Sequence, residues 1–131
     1  MYEVGVRGPL RAAHFLRGDF GDETRLHEHR YLLDWECAAE GLDANGFAVD
    51  IALMEKLLGE VGAELDGKTL NDLPFFAERQ ASVEHLAQYL NDRLVAGLCR
   101  GGAPASKIRQ SRLRVWESET AWAAHLLAPG A

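Results

Sequence analysis

Between Leu26 and Ala38 the residue types alternate one by one, with His27, His29, Tyr31, Leu33, Trp35 and Cys37 on one set of positions and Glu28, Arg30, Asp34 and Glu36 on the other. Successive side chains of a strand point to opposite faces, so this stretch predicts a strand with one face in a core and the other in water. A strand of that kind needs neighbours to pair with and a layer to cover its apolar face.

The rest of the chain supplies both. From Tyr2 to Phe15 a weaker alternation places Val4, Val6, Leu10, Ala12 and His14 on even positions, and Gly8-Pro9 predicts a bulge inside that strand. Gly18 to Thr24 is rich in Gly and Asp and reads as a loop. After a turn at Asn45-Gly46, Ile51, Met54, Leu57, Leu58, Val61 and Leu65 recur at helical spacing, with Gly62 and Gly67 marking the end. A loop from Gly67 to Gln80 contains Asn71, Asp72 and Pro74; Ser82 then suits the N-cap of a second helix whose stripe is Val83, Leu86, Leu90, Leu94 and Leu98. The Gly/Pro-rich run from Arg100 to Ser106 reads as a loop. In the final strand Ser111, Leu113, Val115 and Glu117 alternate with Arg112, Arg114 and Trp116. Strands, two helices and strands in that order favour an α+β domain over residues 1–131, an antiparallel sheet with helices on one face. A sheet this small leaves open edges, and pairing between subunits is expected.

Composition narrows the partners. The 131 residues carry 14 Lys+Arg against 20 Asp+Glu, a net charge of −6, so the excess cations that a phosphate backbone requires are missing and nucleic acid is not expected. No apolar run approaches the roughly 20 residues of a membrane span. The opening MYEVGVRG is charged almost at once and is not expected to act as a signal peptide. Two cysteines, Cys37 and Cys99, suit reduced thiols, packing residues of a cytoplasmic protein.

His27-Glu28-His29 places two imidazoles on the apolar side of one strand, about 7 Å apart at the backbone, and His14 on a neighbouring strand could join them on one zinc ion. Three nitrogens leave a fourth position for water or substrate. The competing reading is that these are core histidines satisfied by hydrogen bonds. His85 and His125, without partners at ligand spacing, read as ordinary helix and surface residues.

In order along the chain, Ala12-Ala13-His14, Leu26 to Tyr31, Gly46 to Asp50, Leu65-Asp66, Leu70-Asn71-Asp72, Ser82 to Ala87 and Val115-Trp116-Glu117 resemble the 6-pyruvoyl-tetrahydropterin synthase family, which includes the 6-carboxy-tetrahydropterin synthases. The resemblance implies the tunnelling fold, a four-stranded antiparallel sheet with two helices whose trimers close into a barrel and often stack into hexamers. It implies zinc on His14, His27 and His29, a pterin substrate, and lyase chemistry. It also places Glu117 and Ser82 among the substrate-binding residues, with Glu117 as the pterin anchor. A carboxylate suits that role, because it accepts two parallel hydrogen bonds from the ring N–H and the exocyclic amine.

The chain also departs from the family. The catalytic cysteine expected four residues before the first histidine of the pair is Glu23, and in the Asp-His dyad Asp66 is kept while Gly67 replaces the histidine. Glu28 stands for the usual glycine between the paired histidines, and Arg30 for the asparagine after them. Some relatives carry a glutamate one residue nearer the pair, where this chain has Thr24, and cleave the side chain to 6-hydroxymethyl-dihydropterin. A carboxylate needs no help to ionise, so Glu23 is expected to move protons without a relay, with Asp66 assisting. The alternative is a non-catalytic relative in which Glu23 closes the zinc shell.

Overall fold

The computed structural model describes residues 1–103 and 107–129. Strand β1 (Tyr2–His14) is followed by a 3-10 turn (Gly21–Thr24) and strand β2 (His27–Ala39). Helix α1 (Ile51–Leu65), two further 3-10 turns (Leu70–Asp72 and Pro74–Phe76) and helix α2 (Val83–Arg100) come next, and β3 (Ile108–Trp116) and β4 (Trp122–Leu127) close the order. The four strands form one antiparallel sheet in the order β1-β2-β3-β4. Both helices cover one face of it, and the core between the layers holds Leu10, Leu33, Trp35 and Leu113 from the strands with Met54, Leu58, Leu86 and Leu94 from the helices. The odd positions of β2 and the even positions of β1 face that core, as their alternation predicts.

Both helices begin at side-chain caps. Asp50 accepts from the Leu53 N–H and Ser82 from the His85 N–H, each satisfying a donor the helix itself cannot. Gly62 lies within α1 rather than at its end: a Cβ there would stand 3.2 Å from the Pro9 carbonyl oxygen, so glycine lets the helix sit close on β1. Gly67 has φ +71°, the left-handed conformation that glycine adopts at least cost. From there the chain runs back along the edge of β1, where the Gly67 N–H donates to the Arg11 carbonyl and the Ala13 N–H to the Lys68 carbonyl.

Several expectations need correction. Gly8-Pro9 makes no bulge, and the β1–β2 register runs unbroken from Tyr2↔Ala39 to His14↔His27. Pro9 is on an edge strand, where its missing N–H costs no ladder bond. The irregularity is instead between Ala38 and Ala39, against β3. Strand β4 has no alternation in its sequence to announce it. Cys37 is buried, and burial pushes its thiol up to about 11, whereas Cys99 is exposed near the end of α2 and is not a packing residue. His125 is half-buried on β4 against Asn91 rather than at the surface. The loop expected over 100–106 begins where α2 closes, with the Gly101 N–H on the Gly97 carbonyl; its residues 104–106 lie outside the described residues. No described helix is long and apolar enough to cross a membrane.

Candidate metal centre

The antiparallel register sets His14, the last residue of β1, directly opposite His27, the first of β2, and His29 follows on the same face. The three rings meet edge to face, with centroids 4.6 Å apart for His14 and His27, 4.7 Å for His27 and His29, and 5.1 Å for His14 and His29. His14 is only 2% exposed; the other two are half-buried.

Hydrogen bonds orient these rings. His14 Nδ1 lies 2.6 Å from the Ala81 carbonyl oxygen and His27 Nδ1 2.6 Å from that of Arg25. A carbonyl only accepts, so in both rings Nδ1 donates, and the neutral imidazole turns a bare Nε2 lone pair the other way. Partners of this kind fix the tautomer of metal-binding histidines. His27 Nε2 and His29 Nε2 are 3.0 Å apart.

Glu23 is brought in by the 3-10 turn that carries it, itself tied back by the Leu16 N–H donating to the Glu23 carbonyl at 2.8 Å. Its Oε2 lies 3.1 Å from His27 Nε2. The ligand atoms of His14, Glu23, His27 and His29 all lie within 4.8 Å of one another. Glu117, one residue past β3, places Oε1 3.2 Å from His29 Nε2. Burial holds the His29 imidazole below its ordinary value, against the upward pull of Glu117, while His14 and His27 add to the lowering.

These residues suit a divalent metal cation. His14 Nε2 is buried and has no hydrogen-bond partner, a state that ordinarily costs about 1–3 kcal/mol. The bare His27 Nε2 facing the Glu23 carboxylate is repulsive unless a proton or cation lies between them. Three imidazole nitrogens and a carboxylate oxygen are donors that such an ion takes.

Two predicted site residues stand elsewhere. Asp66 caps the end of α1 and forms a two-bond ion pair with Arg11, at 3.2 and 3.1 Å, so it is not among the groups that converge on the histidines. A cavity of about 770 Å³ opens beside that pair, between β1 and α1. Ser82 is occupied as the cap of α2 and enters the site only through its neighbour, since Ala81 supplies the carbonyl that holds His14.

Other parts were missed from sequence. After His14 the chain is fastened by two side-chain amides standing in for a strand. Asn71 accepts from the Phe15 N–H and donates to the Phe15 carbonyl, and Gln80 does the same for Arg17. The Ala81 and Arg25 carbonyls have no side-chain signature at all. Tyr31 could have been found from the alternation, which places it on the histidine face. Its ring lies 5.3 Å from that of His29, and its phenol is raised well above its usual range, by burial first and then by Glu117 and Glu23.

Comparison with known proteins agrees with this architecture. The family model for 6-pyruvoyl tetrahydropterin synthase matches residues 3–126. A 6-carboxy-5,6,7,8-tetrahydropterin synthase of Bacillus subtilis (strain 168) is 32% identical over 78 residues, which are 59% of this chain and 51% of that protein, so the match spans about half the length of this curated relative. A Plasmodium falciparum 6-pyruvoyl tetrahydropterin synthase superposes with a TM-score of 0.81 at 18% identity, over 97% of this chain and 98% of the other. The Plasmodium vivax protein does so at 0.79 and 16% identity, over 97% and 98%, in a form where alanine replaces a glutamate described as its catalytic residue. These structures share the four-stranded sheet and two helices of the tunnelling fold.

Proposed function

The chain belongs to the 6-pyruvoyl tetrahydropterin synthase family, and on that premise we propose that it is a zinc-dependent lyase acting on dihydroneopterin triphosphate or a related dihydropterin. The observation that carries this reading is the buried, partnerless Nε2 of His14 aimed at the same small volume as His27, His29 and Glu23. His14, His27 and His29 would hold the zinc, whose contribution when bound is that of a Lewis acid toward substrate side-chain oxygens.

The remaining work falls to the chain's own groups. Glu23 Oε2 accepts the proton leaving the substrate side chain and returns it, a task a carboxylate performs without the thiol that other members use. The catalytic glutamate of the Plasmodium vivax protein supports a carboxylate in this role. Glu117 is the pterin anchor. With its Nε2 given to a metal, His29 would no longer be a partner of Glu117, and both carboxylate oxygens would be free for the ring N–H and amine. Asp66, held by Arg11 at some remove, and Ser82, at the head of α2, serve from the margins or toward a second copy. Strand β4 has no outer partner among the described residues, which supports a homo-oligomer, a trimer or hexamer, that completes the pocket between subunits.

The test is incubation of zinc-loaded protein with dihydroneopterin triphosphate and identification of the product. Turnover that falls at least 100-fold in Glu23→Gln supports the assignment; full turnover in that variant overturns it. A second reading rests on the same carboxylate: Glu23, 3.1 Å from His27 Nε2, closes a His₃Glu shell and the protein binds pterin without converting it. Pterin binding with no turnover, and a metal without exchangeable water, favour that reading.

A further inference from the structure

Tyr31 is 2% exposed and projects from β2 into the helix-covered face. Its ring packs tilted against His29, with centroids 5.3 Å apart, and edge-on to His14 at 6.3 Å. One step beyond the Leu32↔Trp116 pair, the register places it across from Glu117. Its neighbours are therefore two of the three histidines and the carboxylate assigned to the pterin.

The hydroxyl has no hydrogen-bond partner and is shielded from solvent. Buried hydroxyls in native proteins are paired almost without exception, and one left unpaired costs about as much as a lost hydrogen bond. Phenylalanine fills the same volume without that penalty, so packing alone gives no reason for a tyrosine here. Four buried side-chain atoms are left without partners among the described residues; the Nε atoms of Arg112 and Arg114 stand on β3, while His14 Nε2, an acceptor, and the Tyr31 hydroxyl, which can donate, belong to this site.

We propose that Tyr31 orients the substrate: its O–H donates to a side-chain oxygen of the pterin that occupies the site beside the histidines. This rests on the pterin reading above. Tyr31 thereby selects a hydroxylated side chain over an apolar one, because an analogue without the oxygen leaves the phenol unpaired in a buried position. Glu117 would recognise the ring and Tyr31 the substituent, from adjacent strands.

The experiment compares zinc-loaded wild type with Tyr31→Phe, titrated by fluorescence with neopterin, which bears side-chain hydroxyls, and with 6-methylpterin, which keeps the ring and lacks them. Zinc content and thermal midpoint are measured on the same samples. The expected result is about tenfold weaker neopterin binding in Tyr31→Phe, the size of one hydrogen bond, with 6-methylpterin within twofold. Zinc content should be unchanged and the midpoint equal or higher. Unchanged neopterin affinity, as an ordered water on the hydroxyl would produce, overturns the proposal, as does an equal loss for both ligands or loss of zinc. Wild type that binds neither pterin overturns the pterin reading and this proposal together; wild type that binds both, with no difference in the variant, overturns the proposal alone.

Discussion

Two polar clusters share the helix-covered face of the sheet. Farther along β2, the Trp35 indole N–H donates to Ser111 Oγ at 2.8 Å, and that hydroxyl donates to Asn91 Oδ1 at 2.7 Å. Asn91 Nδ2 reaches the Ser111 carbonyl at 3.1 Å and, on His125, both Nδ1 and the carbonyl at 3.0 Å. Each donor meets an acceptor, and the cluster ties α2 to β2, β3 and β4. At the near end of β2 the second cluster does the opposite. His14 and His27 spend their donors on backbone carbonyls and turn their acceptors toward one another and toward a carboxylate. Such an arrangement holds together only around a cation or a proton. The polar residues are equally buried at the centre of each cluster, so burial does not separate architecture from chemistry here; the balance of donors against acceptors does.

The comparison breaks most decisively at His14. His14→Ala should weaken zinc binding by more than about 100-fold in a competitive chelator titration, since losing a ligand exceeds the cost of losing a ligand's partner. A His14→Ala protein that holds zinc like wild type would mean the acceptors serve something else. Asn91→Ala should act in reverse. It strands the Ser111 hydroxyl and two carbonyls and should lower stability by about 2–4 kcal/mol in urea unfolding, with zinc affinity in the refolded protein within about twofold. Zinc lost along with stability would show the two clusters to be one unit. Gly67→His supplies the imidazole that the family resemblance leads one to expect after Asp66, in a left-handed position outside both clusters. It should cost about 1 kcal/mol and leave zinc affinity unchanged. A gain in stability would show that the turn relaxes.

Much of this was legible in the sequence where a side chain repeats at a period. The alternation on β2 placed His27 and His29 together on the core face, Ser82 announced α2, and the stripe from Met54 to Leu65 announced α1. Strand β4 was silent because apolar residues occupy both of its faces, with Trp122 and Leu126 exposed on one and Ala123 and Leu127 half-buried on the other, so residue type does not alternate. Gly8-Pro9 misled because proline disturbs a ladder only on the side that pairs. At the site, residue types picked out the histidines that converge but not their aim. The Ala81 and Arg25 carbonyls that orient His14 and His27 belong to the backbone, which carries no residue-type signal, and Asp66 is held away by Arg11, a partner 55 residues earlier in the chain.

The paired amides of Asn71 and Gln80 also bear on how this protein ages. Hydrolysis of the Asn71 side chain to aspartate, one of the common thermal lesions of asparagine, keeps an oxygen for the Phe15 N–H but replaces the donor facing the Phe15 carbonyl with a second negative oxygen. One atom exchanged in storage would thus unfasten the chain immediately beyond His14 while the sheet and helices stay intact.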